Sequence, residues 1–224
     1  PPCPSIASMR SWKLTKYIPD FGWDPIVLTS ETKEKNWHCP LPDCQTHYIQ
    51  NKLFLEKAVF LTKSKLFRET QLPLSIDSLS VESKEKTPLR NVALKIKKTL
   101  EECFAFPDHM LQWQRKAFFH GKEIIKKEKP LLIMSTASPF SSHLIASKLS
   151  KEFGIPWVAD YRDLWTQRDI YNHTHIRHFF EQKLEQKTLQ QASAITIVSE
   201  PLAKTLEDFL NNLTLENQMM LFYS

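Results

Sequence analysis

The sequence predicts an α/β fold, a parallel sheet with helices on both faces, and two observations carry that reading. In the last ninety residues short apolar runs alternate with amphipathic stretches, the pattern of successive βαβ units joined by right-handed crossovers. Size and composition permit it: 224 residues, 42% hydrophobic and 25% charged, suffice for one large domain or two small ones. Collagenous, disordered and disulfide-stapled chains have other compositions.

Taken in order, residues 5–18 read as a helix that stops at Ile18, because Pro19 pushes the residue before it out of the α region. Trp23-Asp24-Pro25 leads into Ile26-Val27-Leu28, a short buried strand. Residues 30–48 form a loop that carries His38, Cys39, Cys44 and His47. From Lys52 to Arg68, apolar Leu53, Leu55, Val59, Phe60, Leu66 and Phe67 mix with Lys57, Lys63 and Lys65. That mixture suits an anionic membrane surface, but a charged helix packed on the core is the favoured reading, because the aromatic residues suffice to pack one face. Residues 70–88, rich in Ser, Thr, Glu, Lys and Pro, read as a polar insertion.

Leu89, Val92, Ala93, Ile96 and Leu100 then recur at helical spacing. A further helix is expected from about Asp108 to Lys127, burying Met110, Trp113, Ala117 and Ile124. The βαβ region follows. Its strands are Leu131 to Met134, Trp157 to Ala159 and Ala194 to Val198; its helices are Phe140 to Ser150, His175 to Gln191 and Leu202 to Leu210.

Three glycines stand in the chain, Gly22, Gly121 and Gly154, where the usual ~7% would give roughly 16. They form neither a G-x-G-x-x-G fingerprint nor a Walker loop. A net charge of +5 and a pI near 9.0 favour anionic partners without selecting one. No run of 18 apolar residues exists to span a membrane, and no secretory signal is seen. The opening Pro1-Pro2 leads us to expect a true start further upstream. Four cysteines without a framework fit a reducing compartment. The His38-Cys39-x4-Cys44-x2-His47 spacing matches no usual zinc pattern, and a plain polar loop is the expectation there, with no metal site.

In a parallel α/β sheet, ligands sit outside the carboxyl ends of the strands. That rule puts Ser135 to Pro139, Asp160 to Asp163 and Ser199-Glu200 on one rim. Ser138, Ser141 and Ser142 surround a helix start whose free N–H groups and hydroxyls suit an anion or a sugar oxygen. Asp160 and Asp163 can accept from sugar hydroxyls, and Arg162 can pair with a phosphate or with either carboxylate. Capping alone also accounts for Ser138 and Ser199, a turn or an ion pair for Asp163, and a solvated face for His143.

These segments together resemble a known family. Pro1-Pro2-x-Pro-Ser-Ile-Ala-Ser-Met-Arg10, Lys16-Tyr17-Ile18-Pro19-Asp20-Phe21-Gly22-Trp23, Ser135-Thr136-Ala137-Ser138-Pro139-Phe140-Ser141-Ser142-His143, Ile155-Pro156-Trp157-Val158-Ala159-Asp160-Tyr161-Arg162-Asp163-Leu164-Trp165 and Ile197-Val198-Ser199-Glu200-Pro201 are similar to the motifs of the family 4 glycosyltransferase N-terminal domain. The resemblance implies the Rossmann-like acceptor half of a GT-B enzyme, retaining and metal-independent, with its first strand upstream and its donor domain downstream of this chain. It also implies that residues 1–224 alone do not transfer sugar. The donor is a nucleotide sugar, a substrate and not a cofactor, and the acceptor a glycan or lipid-linked species of cell-envelope polysaccharide assembly. The setting would be cytoplasmic, peripheral on the inner membrane face. Asp160, Arg162 and Asp163 fall at the reaction centre, Ser138, Ser141, His143 and Glu200 on the acceptor side, and Ser5 and Arg10 in the donor-phosphate loop. A basic nucleic-acid-binding module, suggested by the charge and six Trp, and a non-catalytic interaction domain are the rival classes.

Overall fold

A computed structural model describes residues 6–31, 43–50, 106–108, 110–168, 174–211 and 220–223. All of them belong to a unit formed by Pro1–Asn51 and Ala105–Ser224; a second unit, Lys52–Phe104, lies outside the described residues. The lysine and aromatic stretch at 53–68, the insertion at 70–88, the helix at 89–100 and Ser5 therefore fall outside the description.

Helix α1 (Ile6–Tyr17) runs into a 3-10 turn, Ile18–Phe21, that carries Pro19 near its start. Gly22 closes the turn at φ 80°, a left-handed conformation that favours glycine. Strand β1 (Ile26–Ser30) follows and pairs in parallel with β2 (Gln45–Ile49). The sequence reading missed β2. Its Gln-Thr-His-Tyr-Ile run is polar and leaves Gln45 and Tyr48 exposed, so hydrophobicity does not announce it.

Helix α2 (Leu111–Glu128) leads to a four-stranded, all-parallel sheet of β3 (Ile133–Ala137), β4 (Trp157–Tyr161), β5 (Ala194–Ile197) and β6 (Met220–Tyr223), in that order. The connections are α3 (Ser141–Phe153), α4 (His175–Leu189) and α5 (Glu200–Asn211). Successive strands that neighbour one another and step in one direction carry same-handed crossovers on a single face. One core accordingly joins Trp157, Ala159, Tyr161, Ile195 and Ile197 of the sheet to Leu144 of α3, Leu189 of α4 and Leu206 of α5.

On the opposite face Arg10 of α1 reaches the sheet. Side chains alternate along a strand, so Asp160 points away from Ala159 and Tyr161, and Arg10 of α1 meets it there. A second core collects Met110, Trp113, Ala117 and Ile125 around α2 with Ile145 and Leu149 of α3, and Leu28, Ile49 and Ile133 pack against it. Both small sheets thus share the layer of α2 and α3. Among the described residues β1 bonds only β2, and β3 bonds only β4.

The mixed α/β architecture with parallel strands agrees with the sequence reading, and the element ends differ. Strand β3 starts two residues later than expected and takes in Ser135, Thr136 and Ala137, which the sequence placed in a loop; β4 likewise extends through Asp160 to Tyr161. Ladder pairing, not apolar content, sets those ends. In α2, Ile125 is buried where Ile124 was expected to be.

Candidate functional site

The strand ends form a level rim. Ala137, Tyr161, Ile197 and Tyr223 lie in register across the four strands, so Ser138, Arg162 and Val198 each leave the sheet at the same height. One row below, Thr136, Asp160 and Thr196 align on the face that Arg10 reaches.

Asp160 is fully buried and fully engaged. Arg10 donates to it in a forked arrangement, Nη2 to Oδ1 at 2.9 Å and Nε to Oδ2 at 3.2 Å, and Thr196 Oγ1 donates to Oδ1 at 2.8 Å. A buried carboxylate persists where a paired cation and further donors replace its water. The contact pins α1 across the rim from 150 residues away in sequence. Next along the chain, Arg162 donates Nε and Nη2 to Asp163 Oδ2 at 2.9 and 2.6 Å, and the Asp163 side chain is half exposed.

Between α1, the 3-10 turn and the rim lies an open groove of about 660 Å³, with Arg10, Lys13 and Arg162 as its charged residues. Leu14, Tyr17, Phe21 and Val198 are among its apolar walls. Asp160, Arg162 and Asp163 are thus gathered with Arg10 at one place, as residues on the rim. Asp160 is buried and held by Arg10 and Thr196, while Arg162 and Asp163 keep contact with solvent.

The other residues singled out in the sequence stand elsewhere. Ser141 is fully buried, and its N–H and hydroxyl both donate to the Asp108 carboxylate, at 2.8 and 2.6 Å. The helix start expected to hold a substrate anion therefore holds an anion of the chain itself. Phe140 at the cap position of α3 makes no side-chain cap bond, and Asp108 serves that end instead; Ser138 is exposed at the end of β3. Glu200 is exposed on α5 and pairs with Lys204 at 3.0 Å. Ser5 lies outside the described residues.

His143 is fully buried on the far face, 4.8 Å from the Tyr161 ring and 5.8 Å from that of Trp157 between centroids. Trp157 Nε1 donates to Ser135 Oγ at 2.8 Å, which sits 2.7 Å from His143 Nδ1. Nε2 has no hydrogen-bond partner among the described residues. Burial drives the imidazole down to a pKa of about 3, the Asp160 carboxylate opposing part of that effect. The ring is neutral near pH 7 and does not line the groove.

Sequence reasoning also missed a buried acid. Glu185 of α4 accepts from Tyr161 Oη at 3.1 Å, Thr166 Oγ1 at 2.5 Å and Gln167 Nε2 at 3.0 Å, and burial raises its pKa to about 7 against those donors. Burial and the adjacent Glu185 push the Tyr161 phenol up as well. One turn earlier, Arg177 Nε meets Glu181 Oε1 at 2.7 Å, and Trp165 Nε1 donates to Glu181 Oε2 at 3.3 Å. Spacing by fours puts Arg177, Glu181 and Glu185 on one stripe, a visible signal that their charge disguises.

Of the His/Cys loop, His38 and Cys39 lie outside the described residues. Cys44, just before β2, has its Sγ 3.5 Å from Thr46 Oγ1, whereas His47 meets His120 of α2, Nδ1 to Nε2 at 3.2 Å. Among the described residues no three side chains of metal-ligand type converge. Trp12, Trp113, Trp157 and Trp165 are buried, so four of the six Trp serve packing. No helix among the described residues is long and apolar enough to cross a membrane. Compared with known proteins, the chain matches no family model, no curated protein and no solved structure.

Proposed function

We propose that this chain is the acceptor-binding half of a family 4, GT-B type glycosyltransferase, which moves a sugar from a nucleotide-sugar donor to a glycan or lipid-linked acceptor. The observation that carries the reading is the fork from Arg10 to Asp160, which fixes α1 over the strand-end rim and brings Arg10, Lys13 and Arg162 to one groove. A strand-end crevice is where parallel α/β sheets take ligands. Cations there suit the phosphates of donor or acceptor. Asp163 is the accessible carboxylate for an acceptor hydroxyl, and Arg162 orients it. In this reading the sugar nucleotide rests mainly on a separate donor domain, the reaction needs no metal, and the site works at the inner membrane face in cell-envelope polysaccharide synthesis.

The test is sugar transfer from a panel of nucleotide sugars to a cell-envelope glycan and lipid extract, by the native gene product that contains this chain. Transfer by the wild type and at least a tenfold fall in turnover for Asp163→Ala, with unchanged thermal unfolding, is the expected result. No transfer from any donor, or unchanged turnover in the variant, overturns the reading.

A further inference from the structure

The groove beside α1 has an uneven chemistry. Its walls are mostly carbon, from Met9, Leu14, Tyr17, Ile18, Phe21 and Val198, and its three charged residues are all cations. A bare sugar asks for many polar partners, which these walls do not offer. Phe21 is 79% exposed and Tyr17 49% exposed at its edge, so large apolar surface faces water in the absence of a ligand.

The cations retain unused donors. Arg10 spends Nε and Nη2 on Asp160, and Arg162 spends the same two atoms on Asp163, leaving each Nη1 without a protein partner among the described residues. Lys13 makes no ion pair among the described residues and is exposed. Asp160 offsets Arg10 and Asp163 offsets Arg162, so Lys13 carries the positive charge that is left over at the groove. Carbon walls beside Lys13 and the free Nη1 atoms of two arginines complement an apolar chain that ends in a phosphate.

We infer that the groove binds a long-chain phosphate, with the chain against Leu14, Tyr17, Phe21 and Val198 and the phosphate between Lys13, Arg10 and Arg162. The inference rests on the transferase reading only in naming this ligand as the lipid-linked acceptor; the binding itself stands on the groove. Phe21 and Tyr17 then cover the chain where it emerges, and Lys16, stacked over the Trp12 and Tyr17 rings, adds charge near that edge.

The experiment is titration calorimetry of the chain with dodecyl phosphate, held below its micelle concentration. Inorganic phosphate and neutral dodecyl maltoside serve as controls. Dodecyl phosphate is expected to bind at least tenfold tighter than either control. Lys13→Glu and Phe21→Ser, both at exposed positions that the fold does not need, should each weaken it about tenfold, with circular dichroism unchanged. Equal binding of the maltoside, binding of inorganic phosphate alone, or no loss in either variant overturns the inference. Sugar transfer by the native gene product without dodecyl phosphate binding would overturn this inference and leave the transferase reading standing. Binding that follows these residues, without transfer from any donor, would do the reverse.

Discussion

Asp108 caps the helix that begins at Ser141. Its carboxylate takes the Ser141 N–H and hydroxyl at 2.8 and 2.6 Å, and also the Met110 N–H at 2.9 Å. One side chain thereby ties the entry of α2 to the start of α3. Removing it strips a cap and leaves the buried Ser141 hydroxyl unpaired, so Asp108→Ala should cost about 2 kcal/mol, the upper part of the usual capping range. Asp108→Asn keeps an acceptor and should cost less. Urea unfolding of the two variants checks the order.

The two ends of the Arg10–Asp160 pair are not equivalent. Asp160 is wholly buried, whereas the Arg10 side chain is 30% exposed and can return to water. Arg10→Met strands a buried charge and should destabilise by about 3 kcal/mol. Asp160→Asn keeps an acceptor for Thr196 and releases Arg10 to solvent, with an expected loss of about 1–2 kcal/mol. Equal losses by equilibrium unfolding would contradict this ordering.

The βαβ rhythm is legible because each strand is a short apolar run and each helix has helical spacing, features local to a window of sequence. Partners are not local. Arg10 stands 150 residues from Asp160, and Asp108 stands 33 from Ser141, so the strand-end rule finds the rim but cannot say which side chains are already satisfied. Helix α4 shows a second limit. Its period is readable, but it buries Arg177, Glu181 and Glu185 and exposes Ile176, Phe179 and Phe180. Polarity assigns those faces the wrong way round, because Trp165, Tyr161 and Thr166 supply the donors that keep the acids inside. The three glycines are now accounted for. Gly22 and Gly154 hold left-handed turns after helices, and Gly121 lies where a Cβ would meet the Leu149 side chain.

Two buried titratable groups should tilt stability in opposite directions with pH. Glu185 is raised from its ordinary 4.5 to about 7. The unfolded chain therefore loses that proton first, and the contribution, full below pH 4.5, disappears as pH rises through 7. At about 1.4 kcal/mol per pH unit, the window is worth on the order of a few kcal/mol. Glu185→Gln should accordingly gain stability relative to wild type as pH rises from 4.5 through 7. His143 falls from 6.5 to about 3, so its contribution is present above pH 6.5 and is lost as pH drops toward 3. His143→Phe should lose less stability than wild type between pH 6.5 and 4. Unfolding free energies across pH, taken as differences from wild type, isolate each slope.

Gly121 lies inside α2, where glycine costs about 1 kcal/mol relative to alanine. Propensity alone therefore predicts that Gly121→Ala stabilises the protein. The packing says otherwise. An added Cβ would stand 2.7 Å from Leu149 Cδ1 and 3.6 Å from Leu28 Cδ2, where α2 meets both α3 and β1. Overpacking of this kind costs typically 1–3 kcal/mol, less where the end of the Leu149 side chain turns aside; Leu149 is buried. The net expectation is a loss of up to about 2 kcal/mol. Leu149→Ala alone should cost about 2–5 kcal/mol through the cavity it opens. Since the new methyl enters that cavity, the double variant should be more stable than the sum of the single losses, by about 1 kcal/mol or more. A double-mutant cycle by thermal unfolding measures the coupling, and strict additivity would mean that α2 and α3 shift apart instead.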